Sequence, residues 1–339
     1  MSGGRFEVRM KELGIKFFPV DMTRQLTFKP IRQLNNIIRQ NKIDIVHSQG
    51  ARADFFTRVS GKISDSPHIL CTVAMPVEGF NVGLLKKISY RLLEKISGRY
   101  VDRFIVVSDS LKTLLTKGRG IPLQRVVKIY NGIAVDEYHP SMKETGLRNQ
   151  WSIPSDVPLV GAIGRMVWQK GFEYLVKAVP EILQVAPEAK FLLIGEGPLR
   201  IHLEQSVQKS NLQDTIIFPG FQTNIKSFLS IIDIMVIPSI IEGFPMITLE
   251  AMAMKKPIVA TRIPGIIEQI SHGTEGILVS PRNPKELVTG ILTLLQNREL
   301  ASKLSIAARS RVKTDFTLEK MIRHTANLYN SLLQRNDNS

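Results

Sequence analysis

The sequence predicts an α/β protein made of two doubly wound domains, each with a parallel sheet. Short β-rich runs alternate with helical patterns along the whole chain, as crossover connections between parallel strands require. The 339 residues exceed one ordinary core and suit two domains of about 100–200 residues. The balance of 43% hydrophobic and 22% charged residues is that of a globular protein.

In the first half, four β-rich runs predict buried strands at 42–48, 68–74, 103–108 and 126–132. Helical spacing of apolar residues predicts helices between them, for example at 31–39 and 84–97. Together with a linker rich in polar residues and proline at 136–158, these elements place the first domain at 1–140.

In the second half, six runs predict strands at 158–164, 189–195, 215–220, 232–239, 256–261 and 276–280. The clearest helices between them are predicted at 171–184 and 247–254. The second domain is therefore placed at 141–316. A last helix, at 317–333 within a terminal segment of 317–339, follows the completed sheet.

The charge is unevenly distributed. The net charge is +15, and positions 1–150 hold 25 basic and 13 acidic residues against 20 and 17 in positions 151–339. A half with a net charge of +12 indicates a polyanionic partner such as an anionic membrane surface or a phosphorylated acceptor. No RNA- or DNA-binding motif accompanies it, so nucleic acid is not an expected partner.

Several classes of protein are excluded. The single cysteine, Cys71, excludes an internal disulfide framework and a multi-cysteine metal site. No run reaches the ~18 apolar residues of a membrane span, and the charged N-terminus has no apolar signal region. We therefore expect a cytoplasmic protein.

The first chemical motif, GRMVWQKG (164–171), directly follows a predicted strand. Gly164 lets the chain turn and lets a ligand approach the backbone, while Arg165 and Lys170 add positive charge at the strand end. A bidentate guanidinium and a point-charge ammonium suit a diphosphate. Taken in isolation, solvated charges in an ordinary loop explain the pair as well.

The second motif, EGFPMITLE (242–250), also joins a strand to a helix. Gly243 marks the turn, and Pro245 suits the first helical position. The N–H groups of Phe244, Met246 and Ile247 are then unpaired donors at a helix start, which favours an anion.

Two carboxylates frame this motif, Glu242 before the helix and Glu250 about a turn inside it. Because carboxylates only accept hydrogen bonds, each suits a vicinal diol, one on a sugar and one on a ribose. Two glutamates eight residues apart are common by themselves. Their place in a strand–turn–helix unit makes the pattern specific.

Two further loops follow predicted strands. IGEGP (194–198) is a tight turn whose glycines, Gly195 among them, are expected to border the ligand, and FPGFQ (218–222) offers exposed backbone and an aromatic ring that suit a nucleobase. Plain turn chemistry and a buried phenylalanine explain these two loops as well.

These runs together resemble a known family. GRMVWQKG, FLLIGEGP, IIFPGF and EGFPMITLEAMAMKKPIVAT are similar to the donor-binding domain of the retaining GT-B glycosyltransferases of family 4. DIVHSQG, FIVVSDS and KIYNGI are similar to segments of that family's acceptor domain. The resemblance implies a GT-B fold, with two Rossmann-like domains facing a cleft, and a sugar transferred from a nucleotide-sugar, a UDP-sugar being expected.

Carried onto this sequence, the resemblance implies that Arg165 and Lys170 hold the donor diphosphate, Glu242 contacts the donor sugar and Glu250 binds the ribose. Arg165, Lys170 and Glu242 are thus the expected catalytic residues. The other expected substrate-binding residues are Gly164, Gly195, Gln222, Gly243, Phe244, Met246, Ile247 and Glu250. No cofactor or metal ion is expected, because the two cations and a helix start neutralise the leaving diphosphate.

The sequence departs from the family at two places. It begins at MSGGRFEVRMKELGI, which resembles the part after the family's opening strand and glycine-rich loop, so the first domain is expected to be shortened. Ala74 occupies the position at which relatives carry a histidine. Both departures favour an alternative, a non-catalytic or impaired nucleotide-sugar-binding relative, and a nucleotide-sugar 2-epimerase is a second alternative.

The helix pattern over 84–99 places Lys87, Arg91, Lys95 and Arg99 on one face. A solvated basic face explains this pattern, and so does docking on anionic lipid, to which each basic residue near the surface contributes about 1 kcal/mol. We expect a peripheral protein on the inner face of the membrane, acting on a lipid-linked or glycan acceptor.

Overall fold

The computed structural model of the chain describes residues 5–22, 28–64, 68–75, 83, 94, 96–141 and 144–334. The chain divides into two compact units. The first comprises residues 1–105, 122–127 and 329–339, and the second comprises residues 106–121 and 128–328. The domain boundaries placed at 140 and 316 stay a prediction.

A four-stranded sheet, most of which lies in the first unit, has the strand order β1-β2-β3-β4. Its strands are β1 Ile45–Gln49, β2 His68–Val73, β3 Arg103–Val106 and β4 Val126–Lys128. Strands β1 and β2 run parallel, with Ile45 opposite His68. The α-helices described up to this point in the chain are α1 Arg5–Glu12, α2 Lys29–Gln40, α3 Ala51–Ile63 and α4 Asp109–Thr113.

The second unit holds a six-stranded sheet with the order β10-β9-β8-β5-β6-β7, and every neighbouring pair is parallel. The strands are β5 Leu159–Ile163, β6 Lys190–Ile194, β7 Ile216–Gly220, β8 Ile234–Ile237, β9 Ile258–Thr261 and β10 Ile277–Val279. The α-helices in the remainder of the chain are α5 Thr145–Gln150, α6 Phe172–Val185, α7 Arg200–Lys209, α8 Ile225–Ile231, α9 Met246–Ala253, α10 Pro284–Gln296, α11 Arg298–Asp315 and α12 Leu318–Leu333, the last of which ends in the first unit.

Apolar clusters pack on this sheet from alternating strand positions. Leu193 belongs to one cluster with residues of α6, α7 and α10, while Leu192 belongs to another with Phe228 and Ile231 of α8. Neighbouring residues of a strand point to opposite faces, so helices cover both faces of the sheet. Among the described helices, none is both long and apolar enough to cross a bilayer.

The ten predicted strands are all present, although each is shorter than its apolar run because residues at one or both ends of the run lie outside the ladder. The helices predicted at 31–39, 171–184, 247–254 and 317–333 are present as α2, α6, α9 and α12. The amphipathic pattern over 84–99 lies largely outside the described residues.

The segment predicted as a linker, 136–158, is more structured than its composition indicates. It contains helix α5, and Ile153 and Val157 are buried in the cluster with Phe228. The apolar residues of this segment stand singly among polar ones, so its overall composition is that of a linker. A few buried apolar side chains are nevertheless enough to anchor a segment on a sheet.

Gly171, which precedes α6, has a backbone geometry that excludes other residues. Its φ is +64°, and a Cβ atom there would lie 2.0 Å from the carbonyl oxygen of Pro238, at the end of β8. The loops that follow β5 and β8 therefore touch through their backbones. Only hydrogen at this position permits that approach.

We predict that Gly171→Ala lowers the free energy of unfolding by more than about 2 kcal/mol, because it adds left-handed strain to a backbone overlap. Gly146→Ala is the matched control, since a Cβ there meets nothing within 4 Å and α5 should gain up to about 1 kcal/mol. Urea denaturation measures both. A loss below about 0.5 kcal/mol for Gly171→Ala would contradict the backbone contact.

Candidate functional site

The candidate site lies in the second unit, at the carboxyl ends of β5, β6 and β8. Backbone hydrogen bonds join the loops there: the N–H of Gly164 donates to Ile194 O at 2.9 Å, and the N–H of Ile240 donates to Gln169 O at 2.7 Å. In open α/β sheets this edge is where ligands bind. The loop that carries Lys170 is thereby tied to its neighbours on both sides.

The structure brings the predicted residues Gly164 and Gly195 together. Gly195 has φ +138°, and a Cβ atom there would stand 1.9 Å from the carbonyl oxygen of Gly164. Gly195 is thus needed for the approach of two backbones, whereas a Cβ atom on Gly164 would meet only the Lys170 side chain, at 3.4 Å. The backbone contact fixes the loop after β5 against the loop after β6.

Lys170 and Glu242 form an ion pair at the centre of the site. The Lys170 Nζ donates to Glu242 Oε1 at 2.6 Å, and the Ser239 hydroxyl donates to the same oxygen at 2.8 Å. The Glu242 side chain is 5% exposed and that of Lys170 is 21% exposed. A buried carboxylate requires such partners, since its desolvation is otherwise unfavourable.

Helix α9 begins directly after this carboxylate. Pro245 has φ −69° and ψ 127° and is the N-cap, so the helix starts at Met246. The sequence placed Pro245 one position later, in the first turn, and its extended ψ explains the difference. The N–H groups of Met246 and Ile247 belong to the first turn, where no carbonyl oxygen of the helix is available to accept from them. They form a pair of donors at the positive end of the helix.

The ring of Phe244 is buried among other aromatic rings. It stacks on Tyr130 with 4.9 Å between centroids and meets Phe316 edge-on at 5.3 Å. The carbonyl oxygen of Phe244 accepts from Asn131 Nδ2 at 3.2 Å. Only the main-chain N–H of Phe244 is left for the role predicted from the sequence.

Other contacts also hold the 242–245 loop. A Cβ atom on Gly265, whose φ is +86°, would lie 2.3 Å from the carbonyl oxygen of Gly243. The buried Gln269 donates through Nε2 to Pro245 O at 3.0 Å.

Sequence reasoning missed several of these loop partners: Tyr130, Asn131, Ser239, Gly265 and Gln269. The position of Asn131 shortly after strand β4 is a signal that could have drawn attention to it.

Glu250 lies in α9 and is half-buried. Its Oε1 accepts from the Tyr138 hydroxyl at 3.3 Å. Burial raises the pKa of Glu250, while the Tyr138 hydrogen bond and the charge of Lys226 act in the opposite direction. The two carboxylates therefore differ, because Glu242 is paired with a cation and Glu250 with a hydroxyl group.

Arg165 and Gln222 lie at the margins of the site. The side chain of Arg165 is exposed on the loop after β5. Gln222 is half-buried and donates through Nε2 to Pro219 O at 2.8 Å. Arg165 is thus free to reach a ligand, whereas Gln222 braces its own loop.

In the first unit, His47 has partners on both ring nitrogens. Its Nδ1 lies 2.5 Å from the Tyr329 hydroxyl and its Nε2 2.7 Å from Thr72 Oγ1. Burial lowers the pKa of this imidazole. Both ring nitrogens of His47 are therefore engaged by side chains of the first unit.

Comparison with known proteins identifies the family. The family model for "Glycosyl transferases group 1" matches residues 143–311, and that for "Glycosyltransferase Family 4" matches residues 2–137. An uncharacterized glycosyltransferase of Methanocaldococcus jannaschii is 30% identical over 302 residues, covering 88% of this chain and 78% of that protein. The chain belongs to the group 1 glycosyltransferases.

Other members of this family match over different lengths. A second uncharacterized glycosyltransferase of Methanocaldococcus jannaschii is 30% identical over 70% of this chain, but the matched region spans only 62% of that protein. An Escherichia coli relative, UDP-Gal:alpha-D-GlcNAc-diphosphoundecaprenol alpha-1,3-galactosyltransferase, is 22% identical over 92% of this chain and 83% of that protein.

The solved structures agree on the fold. HepE from Anabaena, in complex with UDP-glucose, superposes with a TM-score of 0.86 at 20% identity, covering 97% of this chain and 90% of that chain. This group 1 glycosyltransferase chain therefore has the GT-B fold. The GT-B fold and the glycosyltransferase family expected from the sequence are confirmed, whereas the retaining mechanism stays a prediction.

We predict that Lys170→Gln lowers the free energy of unfolding by about 3 kcal/mol, because it leaves the Glu242 carboxylate buried without its cation. Arg165→Gln is the matched control and should change stability by less than about 0.5 kcal/mol, since Arg165 is exposed. Guanidinium denaturation at pH 7 measures both variants. Equal losses would show that the ion pair does not stabilise the fold.

Glu250→Gln should raise the free energy of unfolding at pH 7. Because burial raises the pKa of Glu250 above 4.5, the folded wild type binds this proton more tightly than the unfolded chain. Its contribution to stability is complete below pH 4.5 and is lost as the pH rises through the raised pKa. The advantage of the variant should thus shrink on acidification to pH 4. An advantage that grows there would contradict this sign.

Proposed function

We propose that this chain is a retaining glycosyltransferase that moves a sugar from a nucleotide-sugar, a UDP-sugar, to a lipid-linked or polysaccharide acceptor. The observation that carries the proposal is the Lys170–Glu242 pair, with 2.6 Å between Nζ and Oε1, at the start of helix α9 in a group 1 family member. Such a pair sets a cation beside a carboxylate that lies four residues before a helix start, and these three features together support an anion site.

In this proposal the donor lies along the edge of the six-stranded sheet. Arg165, Lys170 and the N–H groups at the start of α9 hold the diphosphate, because cations and helix starts both favour anions. Glu242 accepts from hydroxyl groups of the donor sugar and Glu250 from those of the ribose. The rest of the donor site is lined by the main chain of Gly164, Gly195, Gly243, Phe244, Met246 and Ile247. Gln222 lies near the base of the nucleotide.

Lys170 can serve Glu242 and the diphosphate together. An ammonium group has three N–H donors, and the ion pair uses one of them. The carboxylate holds this ammonium before the donor arrives. Preorganised charge of this kind acts in catalysis because it needs no rearrangement when charge develops.

In the transfer step, the bond between the anomeric carbon and the diphosphate oxygen breaks, and its electron pair stays on the diphosphate. The acceptor hydroxyl oxygen bonds to the anomeric carbon on the same face. Its proton passes to an oxygen of the leaving diphosphate, so the products are the nucleoside diphosphate and the glycoside. Arg165, Lys170 and the helix start stabilise the growing negative charge in the role that a metal ion has elsewhere.

A UDP-sugar is supported by the neighbour HepE, which was solved with UDP-glucose, and by the UDP-Gal donor in the name of the Escherichia coli relative. A lipid-linked acceptor is supported by the diphosphoundecaprenol in that name. The first 150 residues, with 25 basic and 13 acidic side chains, favour contact with anionic lipid. A peripheral position on the inner face of the membrane follows from that contact.

Glu242→Gln should reduce turnover of a UDP-sugar about 10²–10³-fold, because it removes the charge that holds Lys170 and a contact with the sugar. UDP release from a panel of UDP- and GDP-sugars measures turnover, with and without EDTA. Equal rates with EDTA are expected if no metal takes part.

The control variant is Glu299→Gln, whose side chain is exposed on α11 and should leave turnover unchanged. Binding of a nucleotide-sugar without turnover would support a non-catalytic binding protein instead. Absence of binding to every donor would contradict the assigned site.

A further inference from the structure

We propose that Tyr138 is a positioning residue for the donor nucleotide, because its hydroxyl group holds the carboxylate of Glu250 in one orientation. The inference rests on the proposed function, in which Glu250 binds the ribose. Tyr138 lies outside every motif that predicted the site. It follows a 3₁₀ turn, Val135–Glu137, far from α9 in the sequence.

The contact uses only part of the carboxylate. The Tyr138 hydroxyl donates to Glu250 Oε1 at 3.3 Å, and Oε2 has no partner within the described part of the chain. A carboxylate offers about four acceptor positions. One oxygen is thus anchored while the other can accept from a diol, so the geometry fits a ribose contact.

Tyr138 is itself held from two sides. The side chain is buried, at 8% exposure, and the Lys226 ammonium lies 4.8 Å from its ring centroid. Lys226 also pairs with Glu137 at 2.6 Å. A tyrosine with so little freedom can define the direction of the hydrogen bond that it donates.

Arg309 of α11 ties Tyr138 to the helix that carries Glu250. Its Nη1 donates to the carbonyl oxygen of Tyr138 at 3.3 Å and also to that of Ala253, the last residue of α9. The tyrosine and the carboxylate are therefore fixed in one frame. The main chain at Tyr138 and the end of α9 are both held by the same guanidinium group.

The hydrogen bond also keeps the carboxylate in its accepting form. Burial raises the pKa of Glu250, and the bond from Tyr138 opposes that shift. A protonated Glu250 would turn one of its acceptor oxygens into a donor. Loss of the Tyr138 hydroxyl would thus weaken ribose binding through the orientation of the carboxylate, in a direction that the pKa effect does not oppose.

The decisive variant is Tyr138→Phe, which keeps the ring and removes only the hydroxyl group. We expect the Kd for UDP and the KM for the donor to rise about 3–10-fold, the range of one hydrogen bond. The kcat should stay within about twofold, because a ribose contact is equal in the ground and transition states. A merely structural role would lower kcat and Tm and would leave KM unchanged.

A double-mutant cycle tests whether Tyr138 acts through Glu250. In a Glu250→Ala background, which removes the acceptor of the Tyr138 hydroxyl, Tyr138→Phe should lose most of its effect on the Kd for UDP, measured by calorimetry. Undiminished weakening in that background would overturn the positioning role. Tyr100→Phe, a change in the first unit, should leave Kd, KM and kcat at wild-type values.

The outcomes separate this inference from the proposed function. Wild-type protein that binds no UDP contradicts the proposed donor site itself. Wild-type protein that binds UDP, together with an unchanged Kd for Tyr138→Phe, overturns the inference and leaves the donor site standing. Circular dichroism and Tm of each variant show whether it is folded.

Discussion

The close approach of backbones at the carboxyl end of the six-stranded sheet is the constraint on which the candidate site depends. Gly171 admits Pro238 O, Gly195 admits Gly164 O and Gly265 admits Gly243 O, each at a distance that a Cβ atom would forbid. Loops from different strands are therefore locked to one another. Because close-packed backbone moves little, the side chains on these loops meet in a fixed geometry.

The ion pair of Lys170 and Glu242 is a consequence of that packing. The two residues are 72 positions apart, and the loops bring Nζ to 2.6 Å from Oε1. A carboxylate buried to 5% exposure would be unfavourable alone, but the ammonium and the Ser239 hydroxyl offset its desolvation. The ion pair fixes the Lys170 ammonium group near the start of α9, where an anionic group is also favoured.

Glu250 is a second carboxylate on the same motif, but its partners and the direction of its pKa shift are set by other elements. It has no cation at hydrogen-bond distance within the described residues, and its partner is the hydroxyl of Tyr138. Burial therefore raises the pKa of Glu250, and the charge of Lys226 opposes the shift only from a distance. Two glutamates of one short segment are thus suited to different contacts because different elements pack against them.

The sequence by itself determined the fold, the family and the loops that carry the site. Regular alternation of apolar runs and helical spacing located the strands, and glycines at strand ends marked the loops, since both signals are local. Only the tertiary structure decided that Lys170 pairs with Glu242, that the Phe244 ring is buried on Tyr130, and that Tyr138 holds Glu250. Those contacts join residues far apart in the chain, and local spacing carries no information about which distant side chains share a buried space.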